Sequence, residues 1–331
     1  MTQPIEQPYM RLATMSRWYV VSRAIHAVAA LGVANHMSDT PCSAEKLAQA
    51  TGTQAILLAR LLNFLSAYQI FSVHPDGYAL TELSEPLRDD SRHSIRAVLC
   101  MADACWWQAF SQLDTSLKTG KSAFALQHHD DFFDFLSKHP EKQKNFDAGM
   151  AKLSSYDDKA IVQSFDFSPF STIVDMGGGL GGLSRALHEA YPTLSIILFD
   201  APAVIEQLNP DSFLPNIACQ AGDFLRIIPC ANAYIFKGVL HDFNDEDMHH
   251  ILKNCHEQCP KTATLFIAEQ VMPDDNNPHP NKTMDIVMMV LLGGRQRTLT
   301  EWKKSIEPAG FVFKASYSTG SLFTLMAFEV A

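Results

Sequence analysis

The sequence predicts an α/β domain with a mostly parallel sheet, preceded by a helical domain. Three observations carry this. From Thr172 onward, strand and helix signals alternate, the pattern of a parallel sheet covered by helices on both faces. The apolar run Ile173-Val174-Asp175-Met176 passes through Gly177-Gly178-Gly179-Leu180-Gly181-Gly182 into a helix opening at Leu183 and Ser184. The chain then finishes on two strand signals, 311–317 and 322–328, with only Ser318-Thr319-Gly320-Ser321 between them. So short a link makes a hairpin, which sets one terminal strand antiparallel.

The elements follow in order. Residues 9–31 read as one amphipathic helix, with Trp18, Val21, Ile25 and Val28 at helical spacing. Ser43 is placed to cap a short helix that stops at Gly52, and Thr53 to cap a leucine-rich one over 54–68. Strand signals at 70–73 and 78–80 flank Pro75-Asp76-Gly77, a hairpin turn. This helix-helix-hairpin order is winged-helix-like. The pattern stays helical over 94–154, with Trp106, Trp107 and Phe110 in one segment and Phe146 and Met150 one turn apart in the next. Residues 166–171 mark a boundary, giving domains 1–165 and 166–331. Beyond it, strands are expected at 172–175, 195–199, 217–220, 233–236 and 264–268.

Composition narrows the function classes. At 331 residues, 47% hydrophobic and 19% charged, the chain has the make-up of a soluble globular protein with two cores. No apolar run approaches the roughly 18 residues that span a membrane. Met1 to Pro8 is polar, without a signal-peptide core, and seven cysteines follow no paired pattern, so a reducing cytoplasm is expected. No metal is expected either. Cys255-His256-Glu257-Gln258-Cys259 lies on a helix without a second ligand pair, and His128-His129-Asp130-Asp131 reads as a solvated loop. The net charge of -10 opposes nucleic acid, and the second helix of the winged segment offers only Arg60 among Leu57, Leu58, Leu61, Leu62 and Leu65. It is a packing helix.

The glycine turn points to a bound cofactor, because a residue without Cβ lets a ligand approach the backbone. Gly177-x-Gly179-x-x-Gly182, with Asp200 downstream, fits a dinucleotide; Gly177-x-Gly179-x-Gly181 after an acidic strand end fits S-adenosylmethionine (SAM) equally well. The glycines alone do not decide, although the antiparallel end disfavours a nicotinamide-dependent oxidoreductase. Ligands of such sheets bind at the carboxyl ends of the strands. Those ends carry Asp175; Asp200; Gly222-Asp223-Phe224; Lys237 leading to His241-Asp242-Phe243; and Glu269. Helix caps can account for one or two of these, such as Asp242 with Asn244, but not for the whole set.

Residues 173–183, 198–201, 222–224, 235–247 and 290–298 resemble the SAM-dependent O-methyltransferases. That family includes plant caffeic acid and flavonoid enzymes, acetylserotonin O-methyltransferase, and bacterial polyketide and phenazine tailoring enzymes. The most specific stretch is Tyr234-Ile235-Phe236-Lys237-Gly238-Val239-Leu240-His241-Asp242-Phe243-Asn244-Asp245-Glu246-Asp247, supported by Leu291-Leu292-Gly293-Gly294-Arg295-Gln296-Arg297-Thr298. The resemblance covers almost the whole chain. It implies a class I methyltransferase fold: a Rossmann-like, mostly parallel seven-stranded sheet with an antiparallel C-terminal hairpin. It also implies a helical N-terminal dimerisation and lid domain containing the winged-helix-like segment, and hence a homodimer.

The resemblance also implies roles. Asp175 would belong to the cofactor site, and the backbone at Gly177 and Gly179 would approach the methionine part of SAM, with Lys237 near it. Asp200 would take both ribose hydroxyls, Asp223 and Phe224 the adenine, and Phe243 its other face. Plain core packing is the alternative for the two phenylalanines. His241 would be the general base, because a phenol near pKa 10 is mostly neutral at pH 7 while an imidazole can take its proton. Glu269 would orient the imidazole, with Asp242 or Asp285 assisting, since Gln296 stands where many relatives carry a second acid. The sulfonium brings its own leaving group, so no metal is needed. Trp106, Trp107, Phe110, Phe146, Met150, Met284 and Met288 are candidates for the acceptor pocket, and each is alternatively core. The implied reaction methylates a hydroxyl of a small aromatic or polyketide-like molecule and leaves S-adenosylhomocysteine (SAH). N-methylation or non-methylating SAM chemistry on the same fold is the alternative, and a nicotinamide-dependent oxidoreductase a second one.

Overall fold

The computed structural model describes residues 7–208 and 215–331. Most of the polar N-terminal stretch, residues 1–6, lies outside them. The chain forms two compact units, interleaved in sequence: the residues up to Asp103 with Glu141–Lys152, and Ala104–Pro140 with Leu153–Ala331. Residues 104–140 and 153–165 thus group with the α/β sheet, across the boundary that the composition change marks.

In the first unit, the single helix expected over 9–31 is two, α1 (Pro8–Met15) and α2 (Trp18–Ala30). Ser16 explains the break: its hydroxyl donates to the Ala13 carbonyl at 2.8 Å and competes with the backbone ladder. Ser43 caps α3 (Ala44–Thr51) through the Lys46 N–H, and Gly52 closes it with left-handed backbone. Thr53 does not cap α4 (Ala55–Ser66); Gln54 precedes that helix, and the Thr53 hydroxyl bonds Thr51 at 3.0 Å. Leu58, Leu62 and Leu65 bury one face of α4 while Leu57 stays exposed. Strands β1 (Phe71–His74) and β2 (Gly77–Leu80) form the expected hairpin. Gly77 is required there, because a Cβ would overlap the Cys42 carbonyl. Helix α5 (Arg96–Met101) and the first part of α10 (Pro140–Gln163) complete the unit.

The second unit opens with four short helices, α6 (Ala104–Phe110), α7 (Leu113–Thr119), α8 (Ala123–His128) and α9 (Phe132–Ser137). Gly120 and His129, both left-handed, interrupt what reads as continuous helix. The solvated loop expected over 128–131 is residues 129–131, with His129 and Asp131 exposed, while His128 is not part of it. His128 ends α8, packs between Phe124 and Phe135, and bonds the Cys105 carbonyl at 2.9 Å.

Seven strands follow among the described residues: β3 (Thr172–Met176), β4 (Ser195–Asp200), β5 (Ile217–Ala221), β6 (Ala233–Lys237), β7 (Thr264–Glu269), β8 (Phe311–Ser318) and β9 (Thr324–Val330). Their order is β5-β4-β3-β6-β7-β9-β8, parallel from β5 to β7 and antiparallel at β9 and β8. Both faces are buried. Val174, Tyr234, Phe236, Leu265 and Ile267 fill one core, while Ile173, Ile235, Phe266 and Ala268 fill the other, the period-2 alternation of a sheet between two helical layers. Those layers include α11 (Gly182–Ala190), α12 (Pro202–Ile205), α13 (Asp245–Gln258) and α15 (Leu299–Ile306), whereas α14 (Pro280–Leu291) packs on α6 and α8. Each parallel strand runs one residue past its apolar signal, so Asp200, Lys237 and Glu269 are the last residues of their strands. The final strand starts two residues late, because Thr319 and Ser321 bond Phe323 in the turn.

Candidate active site

Strand β3 lies between β4 and β6, where the chain crosses from one side of the sheet to the other, the switch point at which such sheets bind ligands. The turn after it has left-handed backbone at Gly177 (φ 71°), Gly179 (φ 54°) and Gly181 (φ 77°). A Cβ on Gly177 would press on Val239 at 2.8 Å, whereas one on Gly179 would meet nothing within 4 Å. Backbone at Gly179 is therefore open to a ligand. Its N–H donates to Asp200 Oδ2 at 2.8 Å, and the Ala201 N–H donates to Oδ1 at 2.7 Å. Each oxygen keeps a further lone pair, which suits a diol. Burial raises the Asp200 pKa against these two bonds.

Asp175 is buried and accepts from the Ser184 hydroxyl at 2.7 Å. Burial pushes its pKa to about 6. This bond ties β3 to α11 across the glycine turn. Asp223 is exposed, accepts from the Leu225 N–H at 2.9 Å and pairs with Arg226 at 3.4 Å. Phe224 and Phe243 meet edge to face, 6.0 Å between centroids and 80° between planes, so they do not enclose a flat slot between them. An open glycine backbone, a carboxylate with spare lone pairs and neighbouring rings form a donor and acceptor set that fits a nucleoside cofactor.

His241 sits on a single turn, Leu240–Asp242, just beyond β6. Its Nδ1 lies 2.7 Å from Glu269 Oε2 and its Nε2 lies 3.2 Å from Asp242 Oδ1. Burial alone would lower the histidine pKa; the carboxylates of Glu269 and Asp242 outweigh it and raise the value to about 10. With a carboxylate at each nitrogen, the ring carries both protons. Burial also raises the Asp242 pKa, against the pull of His241. Asn244, not Asp242, caps α13, by accepting from the Glu246 and Asp247 N–H groups.

The loop after α14 holds this turn in place. The Arg295 N–H donates to the His241 carbonyl at 2.9 Å, and a Cβ on Gly294 would overlap that carbonyl. Arg297 is fully buried and donates to Asp245 at 2.6 Å and to the Phe243 carbonyl at 3.3 Å. The Gln296 amide lies 3.1 Å from His241 Nδ1. Since Nδ1 carries the proton shared with Glu269, the amide suits the ring with its oxygen inward. Asp285 accepts from the Gln296 backbone N–H at 2.8 Å rather than touching the imidazole.

Lys237 forms a buried ion pair with Asp158 on α10. Sequence reasoning missed Asp158. A signal was available: Asp157 and Asp158 precede the fully buried Ile161 by four and three residues. On that helix face a carboxylate needs a partner.

Of the apolar candidates, Trp106 and Trp107 are half-buried on α6, and Phe110 is exposed. On α14, Met284 is half-buried and Met288 is buried. Helix α14 packs on α6 and α8, so the two groups lie on contacting helices. Phe146 and Met150 lie on the part of α10 that belongs to the first unit. Among the described residues, no three His, Cys, Asp or Glu side chains are arranged to hold a metal. No described helix is long and apolar enough to cross a membrane.

The models of two families match the chain: an O-methyltransferase domain over residues 110–312 and an O-methyltransferase dimerisation domain over residues 13–89. The phenazine O-methyltransferase PhzM of Lysobacter antibioticus is 32% identical over 316 residues, covering 94% of this chain and 93% of that protein. The crystal structure of LaPhzM superposes with a TM-score of 0.90 at 30% identity, over 98% of this chain and all of that one. NcsB1, an O-methyltransferase of neocarzinostatin biosynthesis solved with SAM and 2-hydroxy-5-methyl naphthoic acid, gives 0.82 at 28% identity, over 94% and 96% of the two chains.

Proposed function

The chain belongs to the O-methyltransferase family, and on that premise we propose that it methylates a ring hydroxyl of a small aromatic or polyketide-like metabolite, with His241 as the general base. It is a methyltransferase whose cofactor is SAM, which sets aside the dinucleotide reading of the glycine turn. When bound, SAM supplies an electrophilic methyl group on a cationic sulfonium. Asp200 would hold its ribose, the open backbone at Gly179 and the Lys237 ammonium its methionine end, and Asp223 with Phe224 its adenine. Phe243, packed edge-on to Phe224, backs that ring.

One observation carries the role of His241: its Nδ1 is anchored 2.7 Å from a fully buried carboxylate at the end of the adjacent strand. That anchor fixes the ring and leaves Nε2 to do the chemistry. In the free protein Asp242 occupies Nε2. The entering hydroxyl takes the place of Asp242, the Nε2 proton leaves to that carboxylate or to solvent, and Nε2 then accepts the hydroxyl proton as the oxygen attacks. Base catalysis of this kind supplies about 10² to 10⁴ in rate, and positioning supplies more. Trp106, Trp107, Met284 and Met288 would present the aromatic acceptor.

The dimerisation-domain match and the exposed apolar residues of α1 and α2, among them Tyr9, Leu12, Trp18 and Tyr19, support a homodimer formed through the N-terminal domain. The expected compartment is the cytoplasm. The experiment is to incubate the protein with SAM and a panel of phenols, hydroxynaphthoates and the matching amines, and to identify methylated products by mass spectrometry. O-methylated aromatics support the reading; transfer to amines alone would overturn it.

A further inference from the structure

The cofactor end of the sheet contains more buried charge than the resemblance accounts for. The side chains of Lys237 and Asp158 are only 10% and 5% exposed, and they pair directly. The Phe323 ring covers the ammonium, 5.7 Å from its centroid. The second oxygen of Asp158 rests on Gly182, at the first turn of the helix after the glycine turn, where a Cβ would overlap it. Two other buried carboxylates stand in the same group, Asp157 bonded to Ser321 and Asp175 bonded to Ser184. Arg185, half-buried on α11, is the second cation whose field reaches Asp158.

A lone ammonium here would repel a cationic ligand, and a buried unpaired charge is itself costly. Pairing with Asp158 removes that repulsion and fixes the Lys237 donors. Asp175 and Asp157 then leave the surroundings acidic. We propose that Asp158 is a positioning residue that cancels the charge of Lys237, so that this site prefers the cationic sulfonium cofactor to its neutral thioether product. The inference rests on the placement of Lys237 at the methionine end of SAM. In the transfer the acceptor oxygen takes the methyl carbon and the carbon–sulfur electron pair stays on sulfur. The hydroxyl proton passes to His241, and the bound ligand loses one positive charge. A site tuned to that charge binds substrate well and releases product readily.

The test is calorimetric titration of the full chain with SAM and with SAH. Asp158→Asn should weaken SAM about tenfold or more and SAH threefold or less, while Asp158→Glu stays near wild type. Adding Lys237→Met to Asp158→Asn should bring the SAM-to-SAH affinity ratio back toward wild type, since both charges are then gone. Lys237→Met alone should move the ratio the opposite way from Asp158→Asn, and it serves as the probe if the latter fails to fold by circular dichroism. Equal loss of both ligands, or an unchanged ratio in these variants, would overturn the proposal by leaving Asp158 a merely structural acid. If the wild-type protein bound neither ligand, the cofactor assignment itself would fall, and this inference with it.

Discussion

His241 and Glu269, 28 residues apart, meet at 2.7 Å because β6 and β7 are parallel neighbours in register, with Lys237 opposite Ala268. Glu269 is the next residue along β7, and His241 stands one tight turn beyond β6. The pair is thus set by a rigid sheet edge rather than by a mobile loop. Its chemistry can be probed one group at a time.

Replacing His241 by Gln removes the proton acceptor while keeping a polar side chain near Glu269. Turnover should fall about 10²-fold or more. SAM affinity measured by calorimetry should change by less than about twofold. Near-normal turnover would mean that the acceptor ionises without help.

The pH dependence should respond to Asp242. In the free protein His241 holds its proton up to about pH 10 because two carboxylates flank it. The rising limb of kcat/KM, which reports the free enzyme's base, therefore belongs on the alkaline side. Asp242→Asn removes one of the charges that raise the histidine pKa, so the limb should move to lower pH. A limb that stays in place would show that Asp242 does not act on the imidazole.

Stability should carry the same signature. A histidine raised from 6.5 to about 10 on folding contributes stability that is fully present below pH 6.5 and lost as pH rises through 10. The urea-unfolding difference between wild type and His241→Gln should therefore shrink steadily from pH 6 to pH 10. A difference independent of pH would indicate a neutral histidine in the folded state.

Asp200 should govern cofactor binding. Its carboxylate is held by the Gly179 and Ala201 N–H groups with lone pairs to spare. Asp200→Ala should weaken SAM and SAH alike, each by more than about tenfold, because both carry the same ribose. This common loss distinguishes Asp200 from Asp158, whose effect is selective for charge.

Much of the site is legible in the chain itself. The alternation of apolar runs, the glycine turn after Asp175 and the terminal hairpin determine a mostly parallel sheet with an antiparallel edge. Strand ends are where such sheets bind ligands, which is why Asp200, Lys237 and Glu269 stand out in the sequence itself. These signals are local: side-chain period, turn chemistry and spacing act over a few residues and survive in one dimension.

What the tertiary structure decided depends on residues that meet from far apart. Lys237 finds Asp158 across 79 residues, and no periodicity announces that pair. The loop Gly293-Gly294-Arg295 reads as a motif, but only the fold reveals that it grips the His241 carbonyl, since the missing Cβ of Gly294 is explained by what lies beside it. The protonation of His241 is decided in the same way, by Asp242 at one nitrogen and the fully buried Glu269 at the other. Sequence sets which side chains stand at the sheet edge. Burial and the distances between charges decide what each of them can do there, because electrostatic strength depends on dielectric and separation.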